Sequence, residues 1–178
     1  MLLGGATALL PVFARDILHV GSVGLGALRA APSVGSLALS AWMARHPLNR
    51  QAGRWMFMAV ILFGLGTCVF GLSRSFVLSL VALVVIGAAD CVSVIIRSSL
   101  VQLQTPNEMR GRVSAVNSLF IGTSNQLGEF ESGLTAAWWG TVPATVIGGL
   151  GTVMVALVWM RIFPALARRD KLNMKAEA

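Results

Sequence analysis

Residues 54–73 read RWMFMAVILFGLGTCVFGLS, a run of twenty whose one charge, Arg54, stands at its start. As an α-helix such a run rises about 30 Å, the thickness of a bilayer's hydrocarbon core. Residues 140–160, GTVPATVIGGLGTVMVALVWM, repeat the pattern without any charge. Working outward, charge-poor runs bounded by short polar turns fall at about 1–14, 20–44, 54–73, 75–103, 112–138 and 141–163, followed by a basic cytoplasmic tail at 164–178. A membrane barrel would show short alternating segments instead, so these runs predict an all-α polytopic membrane protein, a six-helix bundle with its first span truncated. The opening MLLGGATALLPVFARD has too few residues before Arg15 to span and lacks the basic start of a signal peptide. It reads as the second half of a membrane helix, and the expectation on that reading is that the chain is a fragment.

Composition agrees. Over 178 residues the mean hydropathy is +0.77, 56% of residues are hydrophobic and 12% charged, against about 25% charged in soluble chains. The net charge of +7 belongs to loops. Counting alternate connections, Arg45, Arg50, Arg54, Arg110, Arg112, Arg161, Arg168, Arg169, Lys171 and Lys175 fall on one side, Arg15 and Arg74 on the other. That imbalance predicts a plasma (inner) membrane protein with its C-terminus in the cytoplasm, and nucleic acid is not expected as a partner. Tryptophans mark both interfaces: Trp42, Trp55 and Trp159 at inner ends, Trp138 and Trp139 at an outer end. Cys68 and Cys91 sit in separate apolar runs with no CxxC, and no GxSxG, P-loop or HExxH is present, so neither a metal, a cofactor nor an enzymatic reaction is expected.

Away from the run ends, the apolar stretches place Arg29, Asp90, Glu129 and Glu131 at membrane depth. A charge at the bilayer centre costs several kcal/mol without a partner or water, so each marks a candidate substrate or proton path. In the run SAVNSLFIGTSNQLGEFESGLTAAWWG, helical spacing gathers Ser114, Ser118, Asn125, Glu129 and Ser132 into one polar stripe, while Glu131 lies about 200° around from Glu129. A carboxylate on such a path takes up a proton on one side and releases it on the other, which makes Glu129 the candidate proton carrier; its alternative role is a hydrogen-bonded strut. Arg29 lies roughly 12 Å below the outer end of its run, and Glu129 and Glu131 about 15 and 12 Å below theirs. Matching depth predicts that Arg29 pairs with one of them or with an anionic substrate group. Pro32 predicts a kink beside Arg29, and Ala27, Ala31 and Gly35 form a ridge for close helix contact. Asp90 and Arg97 share a helix face two turns apart, with Arg97 read as snorkelling to the cytoplasmic surface.

The connector TPNEMRGRVSAVN breaks at Thr105-Pro106, carries Glu108 and Arg110, has Gly111 as a flexible point, and starts the next helix at Arg112. With GAADCVSVIIRSSLVQLQ before it and NSLFIGTSNQLGEFESG after it, the block resembles the C-terminal half of a major facilitator superfamily transporter of the enterobactin-exporter-like, transmembrane secretion effector branch. The resemblance extends from LLPVFARDIL and GLGALRAAPSVGSL to the WMRIFPALARRDKL tail; the loop RHPLNRQAGRW departs from the superfamily pattern at Asn49, where fuller copies have an acid. A weak three-plus-three echo in hydropathy, with a polar second and an uncharged third member, is similar to the repeats of such transporters. The resemblance implies twelve helices in two halves, a missing N-terminal six-helix half as partner, alternating access, and proton-coupled export of small molecules such as siderophores, drugs or metabolites. An uptake carrier, or a non-transporting membrane remnant or subunit, are the alternative readings.

Overall fold

In a computed structural model the described residues are 8–46 and 52–162. The first part of the run at 1–14, the loop residues Asn49 and Arg50 and the tail at 164–178 lie outside them. Among the described residues there are six helical segments and no strand, so the protein is all-α. Helix α1 spans Leu10–Val12 and continues as a π-helical stretch over Phe13–Ile17; α2 is Ser22–Arg45, α3 Ala52–Leu72 and α4 Phe76–Gln104. A 3₁₀ turn at Asn107–Met109 leads into α5, Arg110–Trp139, and α6 is Thr141–Ile162. Helix α2 runs through Pro32 as one element.

Among the described residues three stretches are long and apolar enough to cross a membrane: Gly53–Leu72, Phe76–Ser99 and Thr141–Ile162. Around them the protein turns apolar side chains outward, among them Leu62, Leu65, Val69, Val81, Leu150 and Val155. An apolar outer face of this extent belongs against lipid, and the protein is a membrane protein. Helices α2 and α5 are less apolar because serines, threonines, amides and charges interrupt them.

Small residues decide which helices meet. Without a hydrophobic drive inside lipid, helices associate where backbones approach closely. Ala31 and Gly35 of α2 are buried, and a Cβ on Gly35 would collide with the Val84 carbonyl oxygen of α4. Gly87 of α4 lies equally close to the Pro32 backbone. The Ser36 hydroxyl donates to the Gly87 carbonyl at 2.8 Å, and Ser40 Oγ lies 3.1 Å from Cys91 Sγ. Both pairs are separated by 51 positions, so α2 and α4 run parallel. Helices α3 and α6 cross at Gly64 and Gly149, each of which would bring a Cβ to 2.8 Å from the other's carbonyl oxygen. Gly71 meets Thr145 further along, which makes that pair antiparallel. Helix α3 also packs on α4, and the core between them holds Phe63, Phe70, Leu83 and Ile86. The π-helical stretch delivers Phe13 into this core, its ring centroid 4.6 Å from that of Phe70.

Parallel α2 and α4, antiparallel α3 and α6 and the short connections gather Arg45, Arg54, Arg110, Arg112 and Arg161 at one end of the bundle. Arg15 and Arg74 mark the other. Helix α5 touches the bundle least: of its residues only Gly128 is buried, and it packs against α6 beside the turn at Gly140. That turn holds φ at +89°, a left-handed conformation that glycine adopts without a Cβ clash.

Loss of the Ser36 to Gly87 bond alone is expected to matter little, whereas separating the two backbones matters more. Ser36→Ala should lower unfolding free energy by about 0.6 kcal/mol, the average for such bonds in membrane proteins. Gly35→Val should cost at least about 1–3 kcal/mol by overpacking. Reversible denaturation in mixed micelles measures both, and the reverse order would reject backbone contact as the organising feature.

Candidate functional site

Between α2, α4 and α5 lies an open groove of about 790 Å³, floored in part by Phe63 of α3. Three of the five charged or amide residues singled out from sequence line it: Asp90 from α4, and Asn125 and Glu129 from α5. Asp90 is near the middle of α4, about 21 Å by helical rise from either end. Glu129 is about 28 Å along α5 from Arg110, so it stands roughly one turn nearer the Trp139 end than Asp90 does. The two carboxylates thus come from different helices, and no direct ion pair or hydrogen bond joins them to other side chains among the described residues.

The remaining two are placed differently. Glu131 is exposed and does not line the groove, in keeping with its position about 200° around α5 from Glu129. Its carbonyl oxygen accepts a bond from the Thr135 hydroxyl at 2.8 Å. Arg29 is exposed and outside the groove, on the α2 face that carries Ser33, Ser36 and Ser40. The expected pairing of Arg29 with Glu129 or Glu131 is not formed: the ion pair among the described residues is Arg15–Asp16, 3.7 Å apart at an exposed turn. Equal depth put these groups at one level, but α5 stands away from α2, and level does not bring side chains together.

Five further polar groove residues escaped the sequence reading of the path, Ser124 on the α5 wall among them. Arg97 lines the groove two turns from Asp90, where helix-end position alone suggested snorkelling. Ser33, Ser36 and Ser40 form the α2 wall. Their spacing of three and four residues, with Arg29 one turn before, was the available signal: a polar stripe at helical period in an otherwise apolar run. Ser36 and Ser40 spend their hydroxyl protons on helix backbone, Ser36 toward Gly87 and Pro32 and Ser40 toward the Ser36 carbonyl. Ser33 is free of such a bond and exposed to the groove.

At the basic end, the Thr105 hydroxyl donates to the Val101 carbonyl at 2.6 Å and the Arg110 Nε–H to the Thr105 carbonyl at 3.3 Å, which ties the break at Pro106 to both flanking helices. Glu108, Arg110, Gly111 and Arg112 are all exposed. Gly111 has a helical backbone and open space where a Cβ would stand, so its size is not demanded by contacts among the described residues.

An apolar exterior around a polar, charge-bearing groove defines a helical membrane protein with a polar interior. The chain belongs to the transmembrane secretion effector family of the major facilitator superfamily, whose model matches residues 4–178. It is similar to the enterobactin exporter EntS of Citrobacter koseri, with 27% identity over 152 residues that cover 84% of this chain and 36% of the relative. It is also similar to a Na⁺, Li⁺, K⁺/H⁺ antiporter of Planococcus maritimus, with 25% identity over 139 residues, 78% of this chain and 31% of that protein. The chain spans about a third of the length of these curated relatives. No solved structure matches it significantly. Its relatives are transporters, and the chain is not an enzyme.

If water fills the groove, side chains there should react with aqueous reagents and outward ones should not. In a Cys68→Ala/Cys91→Ala background, Ser33→Cys should react with a membrane-impermeant maleimide roughly tenfold faster or more than Leu65→Cys, because thiol chemistry runs through the solvated thiolate. Equal rates in membrane vesicles would mean that the groove is not a wet path.

Proposed function

We propose that the groove is one wall of a translocation path, and that the protein is a secondary active, proton-coupled exporter of small molecules working by alternating access. The observation that carries this reading is the placement of Asp90 and Glu129, from two helices, around one open cavity of about 790 Å³ lined by Asn125 and serines. Carboxylates inside a membrane protein cost free energy unless they are hydrated or paired, and they persist where proton or ion movement needs them. The names of the relatives, an exporter and a cation/proton antiporter, support efflux and proton exchange.

Glu129 is the proposed proton carrier. It lies on the helix least buried by the rest of the bundle, so a modest shift of α5 changes which side of the membrane reaches it. Asp90, on the tightly packed α4, is the fixed acidic point of the same path. Since α2 and α5 show the groove open on one side, we propose a second helical bundle as the opposing wall, supplied by the further length seen in the relatives. The basic end carrying Arg45, Arg54, Arg110, Arg112 and Arg161 is the proposed cytoplasmic face of an inner-membrane protein, with the C-terminus inside. Glu108, Arg110, Gly111 and Arg112 are the proposed cytoplasmic loop motif, placed to meet that second bundle as the path opens and closes.

Everted membrane vesicles test this directly through substrate-driven proton release, followed with a pH-sensitive dye. Glu129→Gln should lower the coupled flux roughly tenfold or more, as expected for a residue that must exchange a proton, and Asp90→Asn should lower it comparably. Asn125→Ala, which removes a neutral polar wall group, should cost only about two- to fivefold. Wild-type flux in Glu129→Gln would eliminate the carrier role. Flux that accumulates substrate on the cytoplasmic side would make the protein an uptake carrier, and absence of flux in every preparation would favour a non-transporting subunit.

A further inference from the structure

The groove holds a cation as well as its two acids. Arg97 lines it on the same α4 face as Asp90, about 10.5 Å further along by helical rise. Arg97 and Asp90 do not form an ion pair, so their charged atoms stand more than 4.0 Å apart. Arg97 also has no hydrogen bond to another described residue. On the α2 wall, Ser36 and Ser40 donate their hydroxyl protons to backbone carbonyls and not to these charges. Along the groove the order is therefore Arg97, Asp90, Glu129, positive at the basic end and negative further in.

Resting on the reading of this groove as the translocation path, we propose that Arg97 is its specificity-determining residue and that the ligand is amphoteric. Such a ligand carries a cationic group toward Asp90 and Glu129 and an acidic group toward Arg97, its charges several bonds apart. A simple cation meets the guanidinium as a like charge, and a simple anion meets two carboxylates. A ligand with both charges, laid along the roughly 10 Å rise from Asp90 to Arg97 with each charge against its opposite, satisfies all three side chains at once. A guanidinium suits the acidic end because its planar fork binds a carboxylate through two parallel N–H bonds.

The test uses a length-matched series, ε-aminocaproate, hexylamine and caproate, on membrane vesicles containing the full chain. The reporter is Ser124→Cys, on the α5 wall of the groove, in the Cys68→Ala/Cys91→Ala background, and the readout is its alkylation rate by a maleimide. At equal concentration ε-aminocaproate is expected to protect about tenfold better than hexylamine or caproate. Arg97→Gln should abolish that preference, leaving ε-aminocaproate no better than hexylamine, and Arg97→Lys should restore part of it by keeping the charge without the fork. Hexylamine protecting as well as ε-aminocaproate, a preference that survives Arg97→Gln, or no protection by ε-aminocaproate would each overturn the proposal. Proton flux is read separately. Flux that depends on Glu129 without the amphoteric preference defeats this inference alone, and the preference without flux leaves the ligand class standing while the transport reading falls.

Discussion

The architecture depends on one contact, the backbone of α2 against the backbone of α4 at Gly35 and Gly87. Inside lipid the apolar side chains of two helices gain nothing by leaving hydrocarbon for each other, so close van der Waals contact and a few polar bonds must hold them. Here the absence of two Cβ atoms lets the chains touch, and the Ser36 hydroxyl reaches across at 2.8 Å. The register this sets, 51 positions between partners, fixes which residues of α2 and α4 share a level. Ser36 and Ser40 then stand beside Asp90, and the groove has its two rigid walls.

The third wall is of a different kind. Helix α5 buries one glycine and offers nearly every other residue to its surroundings, polar and apolar alike. A tightly packed pair beside a loosely held polar helix suits a path whose access must change, because low contact density gives low cost of displacement. The acidic groups are divided between these two environments: Asp90 stands on the rigid pair and Glu129 on the loosely held helix.

Much of the bundle was legible in the chain because lipid imposes a simple rule. Every backbone polar group must be satisfied within its segment, so charge-poor runs such as 54–73 and 141–163 have one available conformation. Small residues at Ala31 and Gly35 likewise announced a helix contact, since nothing but close approach rewards them there. The candidate site was less legible. The spacing of Asn125 and Glu129 placed both on one α5 face with Glu131 about 200° around from Glu129, and the groove takes the first two and not Glu131, but Arg29 was matched to these carboxylates by depth alone and lies outside it. Depth is one coordinate of three, and the other two come from how helices lean. Arg97 shows the converse: closeness to a helix end suggested a solvent-seeking side chain, and Arg97 is exposed, but only the position of α5 opposite α4 makes it a groove residue as well.

By itself the sequence determined that this protein is a set of membrane-seeking helices with charges placed where lipid penalises them, because helical period and transfer free energy act within each segment and need no partner. The tertiary structure decided which charges share a space. That choice turns on interhelical register and tilt, set by backbone contacts such as Gly35 on α4 and Gly64 against Gly149. Such contacts join residues dozens of positions apart, and no local pattern encodes them.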